Sequence, residues 1–133
     1  MGTRFAVSAE CPMHENIKKR YLDVSELDTS IIMTSIKNPL RCYRNSATER
    51  VLRMEERGAP LAEILTVVGG KIGKAALESG DSDGAAFPCS LGAALIKEIK
   101  PVKQVVEDII DGAHSIIKNL QKMETSDQRG RSN

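Results

Sequence analysis

Val102, Val105, Val106, Ile109, Ile110, Ala113, Ile116, Ile117 and Leu120 recur at helical spacing along one broad stripe, and no other part of the chain limits the fold as strongly. Pro101 suits the first turn of this helix, and its end falls near Met123. Beyond it, "TSDQRGRSN" offers no apolar residue to offset the entropy of ordering, so residues 124–133 read as a disordered tail behind a single domain over residues 1–123.

Upstream, the pattern is again mostly helical. Pro12 opens a short helix with Ile17, Tyr21 and Leu22 near one face and Lys18, Lys19 and Arg20 on the solvated side. Asn38-Pro39 followed by Leu40, Tyr43, Ala47, Val51 and Met54 predicts a helix to Gly58, one piece or two, because "SATE" from Ser46 also spells a capping box. Leu61, Ile64, Leu65 and Val68 give the next apolar face, broken at Gly69-Gly70 and resumed over Lys71 to Leu77. "SLGAALIKEI" makes a further short helix after Pro88. Only "TSIIMTS", Thr29 to Ser35, is rich enough in β-branched residues for a strand. The fold class is therefore mainly α with one or two short strands, and a lone strand needs a ladder partner that this count does not supply.

Composition excludes several functions. Nineteen basic against eighteen acidic residues leave a net charge of +1 with lysines scattered among glutamates, which argues against nucleic acid as a partner. Without Trp, and with two Phe and two Tyr, there is no stacking platform for bases. Three cysteines, Cys11, Cys42 and Cys89, lack a CxxC or a nearby His pair, so neither a disulfide framework nor a metal site is expected, and a cytoplasmic location follows. Apolar runs are too short for a bilayer, so no membrane role is expected.

Chemistry-bearing candidates are few. His14 stands beside Glu10 and Glu15 near a helix start, and His114 lies at the edge of the long apolar stripe; for both, a structural role outweighs acid-base work. Glu78, Asp81 and Asp83 lack the later ligands and closing Glu of a calcium loop. Gly2-Thr3 and the loop from Gly80 to Gly84 remain: backbone amides beside a small residue at a strand exit suit an anion.

Five motifs in order, "MGTRF" with "ECPMHENIK", "DTSIIM", "NPLRCYRN", "GDSDG" and "LGAALI", resemble the C-terminal part of the nitronate monooxygenase (2-nitropropane dioxygenase) family. The related flavin-dependent enoyl-[acyl carrier protein] reductase shares the Gly-Thr-Arg-Phe and Gly-Asp-x-Asp-Gly landmarks and is the alternative. The resemblance implies a (β/α)8 TIM barrel with an appended helical region, FMN as cofactor, and an oxidoreductase that oxidises alkyl nitronates, its small-molecule substrate, with oxygen. It places Gly2 and Thr3 in one of two loops that grip the FMN phosphate. The other loop, most of the barrel and the family's catalytic histidine would lie upstream of Met1, so this chain resembles a C-terminal portion with no catalytic residue of its own and an incomplete cofactor site. Cys89-Ser90-Leu91 stands where the family usually has Ala-Gly-Gln. Three expectations follow. The chain alone binds FMN poorly; Gly2 to Phe5, a barrel strand deprived of neighbours, frays into solvent; and apolar surface left uncovered drives self-association, or serves a non-catalytic helical module as its docking face.

Overall fold

The structure, a computed structural model, describes the backbone of residues 1–130 and the side chains of residues 1–123; its last helix runs to Gly130, past the end expected near Met123, and the side chains of the tail expected over 124–133 lie outside the described residues. Its elements in order are α1 (Gly2–Ala6), α2 (Glu15–Leu22), β1 (Thr29–Ile32), β2 (Leu40–Tyr43), α3 (Ser46–Glu56), α4 (Leu61–Val68), α5 (Gly70–Ser79), a 3-10 helix (Leu91–Leu95) and α6 (Val102–Gly130). The mainly helical class with short strands holds.

The strand's missing partner is Leu40–Tyr43, which sequence spacing assigns to a helix. β1 and β2 form an antiparallel hairpin with Thr29 opposite Tyr43 and Ile32 opposite Leu40. Pairing overrides the local pattern here, because Cys42 and Tyr43 are buried and both sides of β2 find backbone partners: β1 on one, and on the other Phe87 O, which accepts from Tyr43 N at 3.3 Å, and Cys89 N, which donates to Arg41 O at 3.0 Å. The strand β1 also stops three residues before Ser35. Met33 and Lys37 take positive φ in the connecting turn, and Glu55 of α3 holds that turn by accepting from Met33 N and Ser35 N, each at 2.8 Å. The helix that follows starts afresh at Asn45, whose side chain accepts from Thr48 N while the Thr48 hydroxyl accepts from Asn45 N, a reciprocal cap one residue ahead of the expected one.

At the N-terminus the expected fraying does not occur. With no strand beside it among the described residues, Gly2–Ala6 closes its own helical bonds, Phe5 N to Met1 O and Val7 N to Thr3 O at 3.2 Å, and leads into fully buried Val7. Arg4 Nη1 donates to Glu98 O at 2.8 Å and fastens α1 to the segment before α6. Lys18, expected in solvent, is buried: its stem packs in the core while Nζ donates to Ala9 O and Glu15 Oε1.

The interior has two apolar clusters on either side of the hairpin. One gathers Val7, Ile17, Tyr21, Val24, Tyr43, Phe87 and Ile96; the other gathers Ile32, Cys42, Val51, Ile64 and Val67 beneath α3 and α4. In the first, Tyr43 meets Tyr21 edge-on at 5.2 Å and stacks on Phe87 at 5.5 Å, with Arg20 over its face. Along the described side chains of α6 the start is covered: Val105 is buried, whereas Val106, Ile109, Ile110, Ile116, Ile117 and Leu120 are exposed.

Candidate functional site

Gly2 and Thr3 are the residues that carry the anion-site expectation, and the fold sets both on the wall of an open cleft of about 720 Å³. Ala6 continues that wall, Leu40 and Arg41 form the facing edge, and Pro88 to Gly92 form the floor. The floor and the wall are tied together, because Ser90 N donates to Thr3 Oγ1 at 3.0 Å. A hydroxyl that accepts this bond keeps its own proton for a further acceptor.

The opening residues fit an anionic group on two observations. As the first residues of a helix, Gly2 and Thr3 have amides without an intrahelical acceptor. A side chain at Gly2 would enter open space with no atom within 4 Å, so the glycine serves no packing need of this chain and leaves room for a group to approach the backbone. Amide donors of this kind suit an anion rather than a metal cation. Arg41 adds positive charge at the opposite edge, steadied by its Nη1 donating to Thr29 Oγ1 at 2.8 Å.

Sequence reasoning found Gly2 and Thr3 and missed Arg41 and Ser90. Arg41 sits inside "NPLRCYRN", but only its place on β2 brings it to the cleft. Ser90 marks the departure from the family's usual Ala-Gly-Gln, and its partner Thr3 is 87 residues away, a pairing without a local signal.

The second glycine-rich feature, Gly80 to Gly84, does not join this cleft. Its carboxylates are used internally. Asp81 Oδ1 accepts from Asp83 N and Gly84 N at 3.0 and 2.9 Å, and Asp83 accepts from Ser46 N at 2.8 Å and from the Ser46 hydroxyl. The hydroxyl and amide of Ser46 hold the Asp83 carboxyl below its ordinary range against a smaller opposing effect of burial. Tyr43 and Asn45 clasp the same loop from the hairpin side, Tyr43 Oη donating to Ser82 O at 2.8 Å and Asn45 Nδ2 to Ala85 O at 2.8 Å. Among the described residues no three His, Cys, Asp or Glu side chains gather as a metal site.

Of the remaining candidates, His14 and two of the cysteines have packing or capping roles. His14 caps α2, its Nδ1 accepting from Asn16 N at 3.1 Å, and its ring lies against Gly80. His114 is exposed on α6. Burial pushes the Cys42 thiol up to about 12 and the Cys89 thiol up to about 11, which suits neither to nucleophilic work. No helix among the described residues is long and apolar enough to cross a membrane.

Comparison with known proteins extends this picture. The family model described as nitronate monooxygenase matches residues 1–112. Among solved structures, FabK from Thermotoga maritima superposes with a TM-score of 0.81 at 30% identity, over 91% of this chain and 38% of that one. A point mutant of the same protein gives 0.71 at 28% identity, over 91% of this chain and 34% of that one. The chain thus spans well under half the length of the structures it matches.

Proposed function

The chain belongs to the nitronate monooxygenase family, and from that premise we propose that it supplies the cofactor-phosphate wall of an FMN-dependent oxidoreductase that oxidises alkyl nitronates with oxygen. One observation carries the reading: within the family match, Gly2 and Thr3 border a cleft with free helix-start amides and a tethered hydroxyl. In it, Gly2 and Thr3 donate backbone N–H groups to the phosphate, and Thr3 Oγ1, held by Ser90 N, adds a third donor. Arg41 lends positive charge at the facing edge. When bound, FMN supplies the electron transfer to and from the substrate, a capacity no side chain of this chain has. The chain's own task is to hold and orient the cofactor, and the remaining barrel of the family fold would supply the walls around the flavin ring.

A chimera tests this directly. Replacing the aligned part of Thermotoga maritima FabK with the matching part of this chain should give a protein that retains FMN on purification. Thr3→Val in the chimera should lower FMN affinity about tenfold, the value of one charge-assisted hydrogen bond. Grafted likewise onto the barrel of a nitronate monooxygenase, the chain should restore oxygen uptake with propane-2-nitronate; restoring only nicotinamide-driven enoyl-thioester reduction, in the FabK chimera, would select the enoyl-reductase alternative instead. A chimera that folds and holds FMN equally well when it carries Thr3→Val would overturn the phosphate role.

A further inference from the structure

We infer that the cavity between α2 and α5 takes the alkyl tail of the substrate, so that the nitronate oxidised carries a chain of several carbons. The inference rests on the flavin reading of the cleft. The cavity measures about 500 Å³, a volume suited to a small-molecule ligand, and it shares Ala6 and Pro88 with the cofactor cleft, so a molecule lying in it reaches the cofactor's side. Tyr21 of α2 and Phe87 wall it together with Gly70, Gly73 and Leu77. Those last three are spaced by three and then four residues and so share one face of α5.

The polar groups at its rim are already engaged: the Tyr21 hydroxyl donates to Pro88 O at 2.7 Å, and the Lys74 ammonium faces Glu78 at 3.8 Å. What the walls present is therefore aromatic and aliphatic carbon, which favours an alkyl chain over a polar ligand. Gly73 weakens the interior of α5, yet a Cβ there would meet no atom within 4 Å, and the same holds at Gly70. Packing within the chain accounts for neither glycine; the space they leave open does. The walls are also fixed independently of the α6 stripe. Tyr21 and Phe87 are buried and each packs on Tyr43, and the bond from Tyr21 to Pro88 O joins α2 to the chain that closes the cavity.

Titrating the isotopically labelled full chain, without FMN, with the nitronates of nitroethane, nitrobutane and nitrohexane tests the inference. Each pair of added CH2 groups should tighten binding about tenfold, and the shifts should fall on the amides of Gly70, Gly73 and Phe87. Gly73→Leu should fill the cavity and reduce the hexyl compound to the affinity of the ethyl one, about a hundredfold loss, with unchanged far-UV circular dichroism. Gly73→Ala, a smaller change on the same face, should keep most of the response. Affinity independent of chain length, a Gly73→Leu chain that still binds the hexyl compound tightly, or shifts confined to the α6 stripe would each overturn the inference. Because FMN is absent from this titration, the two readings fail separately: length dependence without recognition of the FMN phosphate strikes only the cofactor reading, and phosphate recognition without length dependence overturns only the tail cavity.

Discussion

Asp83 sits on the amino end of α3, its Oδ1 accepting from Ser46 N at 2.8 Å while its other oxygen takes the Ser46 hydroxyl. This joins the glycine-rich loop to the helix that follows the hairpin, and with Asn45 and Tyr43 it makes the loop a structural clasp. A sequence motif that reads as a site is here a device for positioning the chain that becomes the cleft floor.

Asn45 does double duty, capping α3 and donating to Ser82 O and Ala85 O. Asn45→Ala should therefore cost more than an ordinary cap, about 2 to 3 kcal/mol in urea unfolding, whereas Tyr43→Phe, which loses only the bond to Ser82 O, should cost about 1 kcal/mol. Equal losses for the two would show that the loop is not held through Asn45.

Gly80 and Gly58 both take positive φ, at 77° and 70°, but only at Gly80 would a Cβ meet another group, the His14 ring at 2.3 Å. Gly58→Ala should cost about 1 to 2 kcal/mol from backbone strain alone, and Gly80→Ala more, with loss of the α2 cap. Thermal melts that rank them in the reverse order would contradict the packing of His14 on the loop.

Acid should loosen the molecule in a defined order of cause. The folded Asp83 carboxyl is held low by Ser46; at Glu55 burial acts to raise it, but the bonds from Ser35, Met33 and Thr34 together lower it. Groups with depressed folded values contribute stability that is present above their unfolded value, about pH 4, and lost as pH falls through the folded value. Urea midpoints should be flat near neutrality and fall below about pH 4, and the fall should shrink in an Asp83→Asn, Glu55→Gln double variant. An unchanged fall would assign the acid sensitivity to other carboxylates.

Thiol chemistry separates the cysteines. Cys42 and Cys89 are buried with raised pKa values, while Cys11 is partly exposed. At neutral pH one thiol per chain should react readily with a maleimide, and all three only in denaturant; ready labelling of Cys42 in the native state would contradict the packing beneath the hairpin.

Much of the fold is legible in the residues because local chemistry decides it. Gly58 with Pro60, and Gly69-Gly70, punctuate α4 and α5, and the stripe after Pro101 marks α6. The element at Leu40–Tyr43 is not legible, because Leu40, Tyr43 and Ala47 satisfy a helical period and only pairing with β1 and the chain around Pro88 selects the strand. At Gly2–Phe5 the family resemblance points to a strand, yet the described structure has a helix there, closed by Phe5 N to Met1 O and Val7 N to Thr3 O. The site divides the same way: Gly2 and Thr3 stand out by type and resemblance, while Ser90 and Arg41 reach them only through the folded path of the chain.

The account's central claim is that Gly2 and Thr3 recognise the phosphate of the flavin. Titrating the isotopically labelled chain with FMN and, separately, with riboflavin while following backbone amide signals tests it most directly, because the two ligands differ only in that phosphate. With one wall of the site present, FMN should bind more weakly than about micromolar, and should shift the Gly2, Thr3 and Ser90 amides in the wild-type chain far more than in Thr3→Val, with riboflavin leaving them in place. Equal shifts with riboflavin, or FMN shifts confined to residues away from this cleft, would contradict the claim.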